Sequence, residues 1–105
     1  MNLAQIAKMA QQMQTQMAQA QAELRETTLE ATAGGGAVRV VITGAQELRL
    51  IEIDPAAVDP AEVEMLQDLV MAAINDAIAR SKELERERMA SLAGGIGLPG
   101  LPGLR

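Results

Sequence analysis

The stretch AVRVVITGAQELRLIEID, residues 37–54, decides the fold. Val38, Val40 and Ile42 alternate with Arg39, Val41 and Thr43, the period-two pattern of a strand. Gly44-Ala45-Gln46 supplies a turn, and Leu48 to Ile53 reads as a further strand. Upstream, Thr27 to Ala33 alternates around Leu29 and Ala31, and Gly34-Gly35-Gly36 forms the turn between that segment and residue 37. Three short strands, 27–33, 37–43 and 48–53, joined by tight loops predict an antiparallel meander. Leu48 and Leu50 are predicted to face one way, with Val38 and Val40. Ile51 and Ile53 are predicted to face the other way, with Val41. A sheet that is apolar on both faces needs two covers, and Val41, Ile51 and Ile53 are the residues expected at a contact between two copies of the chain.

Outward from the sheet the periodicity changes. Leu3, Ile6, Ala10, Met13, Met17, Ala20 and Leu24 are separated alternately by three and four residues, a heptad seam that predicts a helix over 2–26. Gln11, Gln12, Gln14, Gln19 and Gln21 occupy the opposite side. Two readings of this narrow stripe stay open: a helix lying on its own domain, or a projecting arm paired with another helix. After the sheet, Asp54-Pro55 ends the third strand. Asp59-Pro60-Ala61-Glu62 then has the form of a helix start, with Asp59 as cap, Pro60 in the first turn and Glu62 at the capping-box position. The second helix is predicted over 60–91. Its first half carries a wide stripe (Val63, Leu66, Leu69, Val70, Ala73, Ile74, Ala77 and Ile78) suited to lying on a sheet. Its second half, Arg80 to Arg88, is nearly all charged and is expected to run beyond the body. Gly94-Gly95 is expected to break the helix. Residues 1–93 then form a single α+β domain, and residues 94–105, with their Gly-Leu-Pro repeats, form a flexible tail.

Composition narrows the chemistry. The 105 residues contain no Cys, His, Phe, Tyr or Trp and carry a formal charge of −5. Without Cys and His there is no disulfide, thiol nucleophile, imidazole base or thiolate or imidazole metal site. No acid–base or nucleophile pair stands out, so no enzyme activity, cofactor or small-molecule substrate is expected. No apolar run approaches the length of a membrane span, and the opening residues do not resemble a secretory signal, so a cytoplasmic location is expected. A core made only of Leu, Ile, Val, Met and Ala is poor in bulk, which again favours completion by a second copy.

Three constellations invite chemical readings. Asp68, Asn75 and Asp76 lie near one face of the second helix, but their spacing is not that of a known cation loop; solvated or locally paired side chains are the expected state. Gly34-Gly35-Gly36 precedes a strand, and no Lys-Ser/Thr pair opens a helix after it, so it reads as a hairpin turn and not a phosphate loop. Arg80, Lys82, Arg86 and Arg88 form the one local excess of positive charge, interleaved with Glu83, Glu85 and Glu87. Lys82 and Arg86 share an edge one turn apart. An ordinary ion-paired surface helix has the same appearance. With no aromatic to stack on bases, any nucleic-acid ligand would be duplex, held by its phosphates.

The order of these elements, together with particular stretches, is similar to the YbaB/EbfC family of bacterial nucleoid-associated proteins. The resemblance rests on Lys8-Met9-Ala10-Gln11-Gln12-Met13, Gly36-Ala37-Val38-Arg39-Val40 with Gly44, and Ile51-Glu52-Ile53-Asp54-Pro55. It is most specific over Glu64 to Val70 and Ala72 to Ala77, and extends to Met89-Ala90-Ser91 and the Gly/Pro-containing end. It implies a tweezer-like homodimer in the nucleoid, with helical arms projecting from a body of sheets, that binds double-stranded DNA. Arg80, Lys82, Arg86 and Arg88, helped by Lys8 and Arg25, would then contact phosphates. The family has no known catalytic residues. The rival reading is a protein-binding adaptor whose Met-lined arm receives a partner helix.

Overall fold

The computed structural model describes residues 2–95. Helix α1 spans Leu3–Glu26; strands β1 (Thr28–Ala33), β2 (Val38–Thr43) and β3 (Leu48–Ile53) follow, and helix α2 spans Val63–Gly95. The sheet is an antiparallel meander in the order β1-β2-β3. The molecule measures 70 × 26 × 16 Å, with a radius of gyration of 19.7 Å. A compact domain of this length would have a radius near 13 Å, so the helices project far beyond the body.

The helix ends differ from expectation in instructive ways. Asn2 caps α1 by accepting the Gln5 N–H at 2.8 Å, and the Gln5 side chain returns the bond to the Asn2 N–H at 3.3 Å. This Asn-x-x-Gln capping box satisfies two otherwise orphan donors. At the other end of the sheet Asp59 does cap, but its carboxylate accepts from the Ala61 N–H and Pro60–Glu62 forms a 3-10 turn; α2 proper begins at Val63. Gly94 and Gly95, expected to break α2, are its last two residues. The rest of the expected tail, 96–105, lies outside the described residues.

The core lies between the sheet and the first half of α2. Val38, Val40, Ile42, Ala31, Ala73 and Ala77 are buried together, flanked by Leu29, Ala33, Leu66, Leu69, Val70, Ile74 and Ile78. Alanines on the helix let it approach the sheet closely, and valines and isoleucine fill the strand side. The three glycines of the β1–β2 turn all have positive φ, between 63° and 97°. Leu69 of α2 seats on that turn: a Cβ on Gly34 would meet both its methyls at 3.0 Å.

The facing of β3 is corrected by the register. Val38 pairs with Ile53 and Val40 with Ile51, whereas Val41 pairs with Leu50. Residues directly opposite in an antiparallel pair share a face. Ile51 and Ile53 therefore stand on the α2 side with Val38 and Val40, while Val41 and Leu50 stand on the other. Val41, Ile51 and Ile53 do not form one patch. The irregularity between Val41 and Ile42, opposite which Arg49 is left without a partner, shifts the pairing to Ile42 with Leu48. Helix α2 rests on β1 and β2, so Ile51 and Ile53 remain 43% and 38% exposed at its flank.

Candidate nucleic-acid interface

Of the two readings of α1, the projecting arm is the one observed. The seam is buried only at its C-terminal end, where Ala20 and Leu24 are enclosed. Leu3, Ile6, Met9, Met13 and Met17 stay exposed along the free part. The helix partner is the second half of α2 in the same chain, running antiparallel. Arg88 on α2 donates from Nε and Nη2 to Glu23 Oε2 on α1, at 3.2 and 2.9 Å. One turn further out, Gln16 and Gln19 share a shallow cleft with Arg88, Ser91 and Leu92.

A polar hub holds the root of this arm to the body. Ser81, fully buried on α2, donates to the Thr43 carbonyl at 2.6 Å and accepts from the backbone and side-chain nitrogens of Gln46 at 3.2 and 2.9 Å. Gln46 sits at φ 61°, the left-handed conformation that a tight turn demands. From the same turn the Gly44 N–H donates to the Leu24 and Thr27 carbonyls, each at 2.9 Å. Two carbonyls at the C-terminus of α1 thereby gain a donor they would otherwise lack. A side chain at position 44 would be crowded, because its Cβ would lie 2.8 Å from a Leu24 methyl and 3.0 Å from the Leu24 carbonyl oxygen.

The cations expected on the arm are all present there, but in different states. Arg80 pairs with Asp76 at 3.1 Å, Arg86 pairs with Glu83, and Arg88 pairs with Glu23 across the helix interface. Lys82 and Arg86 share an exposed edge of α2, as the spacing implied. Lys8 stands on the free part of α1 and Arg25 in its last turn. Lys8, Arg25 and Lys82 make no ion pair within the described residues. Arg39 on the sheet bridges Glu30 and Glu52. Its hydrogen bonds to Glu30 and then to Glu52 raise its pKa further still, and the two ion pairs tie β2 to both of its neighbours. Asp76, considered above as part of a cation trio, is engaged with Arg80. Among the described residues no cluster of three metal-ligating side chains occurs, and no helix is long and apolar enough to cross a membrane.

Two features escaped the sequence reading. The Asn2–Gln5 box was legible as an Asn with a Gln three residues on, before an apolar run. Arg49 was not: it is a lone cation in a strand. In the structure its Nη2 donates to the Arg25 carbonyl at 3.2 Å.

Comparison with known proteins places this geometry in a family. A nucleoid-associated protein of Nocardia farcinica is 51% identical over 102 residues, covering 97% of this chain and 93% of that protein. One from Moorella thermoacetica is 54% identical, covering 95% of this chain and 99% of its own length. The crystal structure of an uncharacterized protein from Helicobacter pylori shares the fold, with a TM-score of 0.80 at 24% identity, over 89% of this chain and 98% of that one. The model of the YbaB/EbfC DNA-binding family matches residues 1–96, which span both helices and the whole sheet, and the chain belongs to that family.

Proposed function

We propose that this chain is a nucleoid-associated protein that binds double-stranded DNA with little sequence preference, as a homodimer in the cytoplasm. Membership of a DNA-binding family over residues 1–96 carries this reading. The geometry supports it: the two-helix arm displays Lys82, which makes no ion pair among the described residues, and Arg86, paired with Glu83, about 40° apart around α2 on an exposed edge. The acidic chain, with its charge of −5, opposes that contact elsewhere. Binding is therefore modest in strength and depends on phosphate contacts, with any selectivity coming from duplex shape.

The dimer surface is revised from the sequence expectation. Ile51 and Ile53, on the helix side of β3 and uncovered by α2, are the apolar positions a second copy would bury. Val41, with Leu50, belongs to the opposite face. The Glu30–Arg39–Glu52 ties make that face a less suitable contact.

Fluorescence anisotropy with a random duplex, titrated at several KCl concentrations, tests the DNA reading. With two to four phosphate contacts per subunit, the log–log salt slope is expected to be roughly −4 to −7 for the dimer. Replacing Lys82 and Arg86 together by Glu should weaken all duplexes alike and flatten the slope. If the double variant binds as tightly as the parent throughout the series, this edge is not the site. If the parent does not bind even at low salt, the exposed Leu3–Ile6–Met9–Met13 stripe becomes the surface to explain, and the protein-adaptor reading replaces the DNA one.

A further inference from the structure

We propose that Arg49 is a phosphate-contacting residue of the DNA surface, so that duplex backbone reaches the root of the arm as well as the charged edge of α2. The inference rests on the DNA-binding reading above and refines where the duplex lies.

The described residues hold eight Lys and Arg side chains: Lys8, Arg25, Arg39, Arg49, Arg80, Lys82, Arg86 and Arg88. Arg39, Arg80, Arg86 and Arg88 each engage a carboxylate of this chain. A phosphate would have to displace that partner, whose own charge then opposes the incoming anion. Lys8, Arg25, Arg49 and Lys82 engage none among the described residues. On a chain with fourteen acidic residues against nine basic ones, cations without a carboxylate are the ones from which a phosphate gains most.

The fold brings the chain at three of these four, Arg25, Arg49 and Lys82, to one turn. Arg49 follows the β2–β3 turn by three residues and is exposed. Its guanidinium is aimed at the last turn of α1 by the bond to the Arg25 carbonyl. Lys82 is next to Ser81, whose hydroxyl is bonded to Thr43 and Gln46 of the same turn. Glu26, Glu47 and Glu83 are chain neighbours of this group, yet none forms an ion pair with it, Glu83 being taken by Arg86. The carbonyl end of the α1 dipole tolerates the positive charge there. A guanidinium carries five N–H donors, and one is used to fix its position. The remainder are oriented in advance and open to a bidentate phosphate contact, which lowers the ordering cost of binding.

The test uses the full chain, the same random duplex and the same KCl series, with Arg49→Gln and Arg49→Lys. Loss of one phosphate contact per subunit should make the slope of a dimer shallower by about 1.8. Arg49→Gln is expected to show that change and weaker binding at low salt, while Arg49→Lys, which keeps the charge without the fork, retains the parental slope. Equal slopes for the parent and Arg49→Gln would overturn the inference while leaving the DNA reading intact. So would a fall in affinity with an unchanged slope that Lys fails to restore, since that marks a role in holding α1 alone. Absence of binding by the parent would overturn both. Far-UV circular dichroism checks folding; should Gln disturb it, Arg49→Met, which keeps the apolar stem, is read by the same criteria.

Discussion

Replacing Ser81 by Ala removes the centre of the hub that joins the arm to the body. The hydroxyl makes three hydrogen bonds, to the Thr43 carbonyl and to the two nitrogens of Gln46. At about 0.5–1.5 kcal/mol net for each, their simple sum is roughly 1.5–4.5 kcal/mol. The upper part of that range applies when a partner is left buried and unpaired, and here none is. The Thr43 carbonyl still accepts from the Gln46 N–H at 3.1 Å, and the Gln46 side chain still donates to the Gly44 carbonyl at 3.0 Å. Alanine also favours the helix over serine by a few tenths of a kcal/mol. The expected loss is therefore about 1–2 kcal/mol, or roughly 4–16 °C in Tm for a domain of this size. Urea unfolding followed by far-UV circular dichroism measures it, because the chain has no Trp or Tyr to report by fluorescence. Parent and variant must be compared at one protein concentration, since an assembling chain has a concentration-dependent midpoint. The midpoint should fall with the slope unchanged. A loss below about 0.3 kcal/mol would refute the reasoning, as the hub would then be energetically equivalent to its hydrated state. A loss above about 4 kcal/mol would refute it from the other side, by showing that a partner is stranded when the hydroxyl goes.

Two further substitutions probe the same construction. Gly44→Ala should cost about 1–3 kcal/mol by overpacking, because the Leu24 methyl can rotate away but the Leu24 carbonyl, held in the α1 terminus, cannot; thermal melts checked against the parent decide it. Ile51→Asp is cheap in a lone chain, where the position is 43% exposed, but in a dimer that covers it an unpaired charge would be buried. Sedimentation equilibrium at micromolar concentration should find a folded monomer for the variant and a dimer for the parent; an unaffected dimer, or a monomeric parent, would remove Ile51 from the interface.

The amino-acid sequence by itself determined the elements, because each is a local property. Alternation over 38–43, the apolar-rich segment 48–53, heptad spacing over 3–24 and the Asp-Pro starts depend on neighbours a few residues apart. Strand limits accordingly agree with the structure to within one residue at each end. Glycines 94 and 95 are the exception: glycine is unfavourable within a helix but not excluded from its last turn. What tertiary structure decided is everything that depends on register or on distant partners. A one-residue irregularity opposite Arg49 reverses side-chain facing along β3, which placed Ile51 and Ile53 on the helix side. Glu23 and Arg88 are 65 residues apart in the chain, Gln46 and Ser81 are 35 apart, and Arg25 and Arg49 are 24 apart. No periodicity connects such pairs. They meet because α2 lies across β1 and β2 and returns antiparallel along α1. That path determines which cations are already neutralised and which remain open to a phosphate.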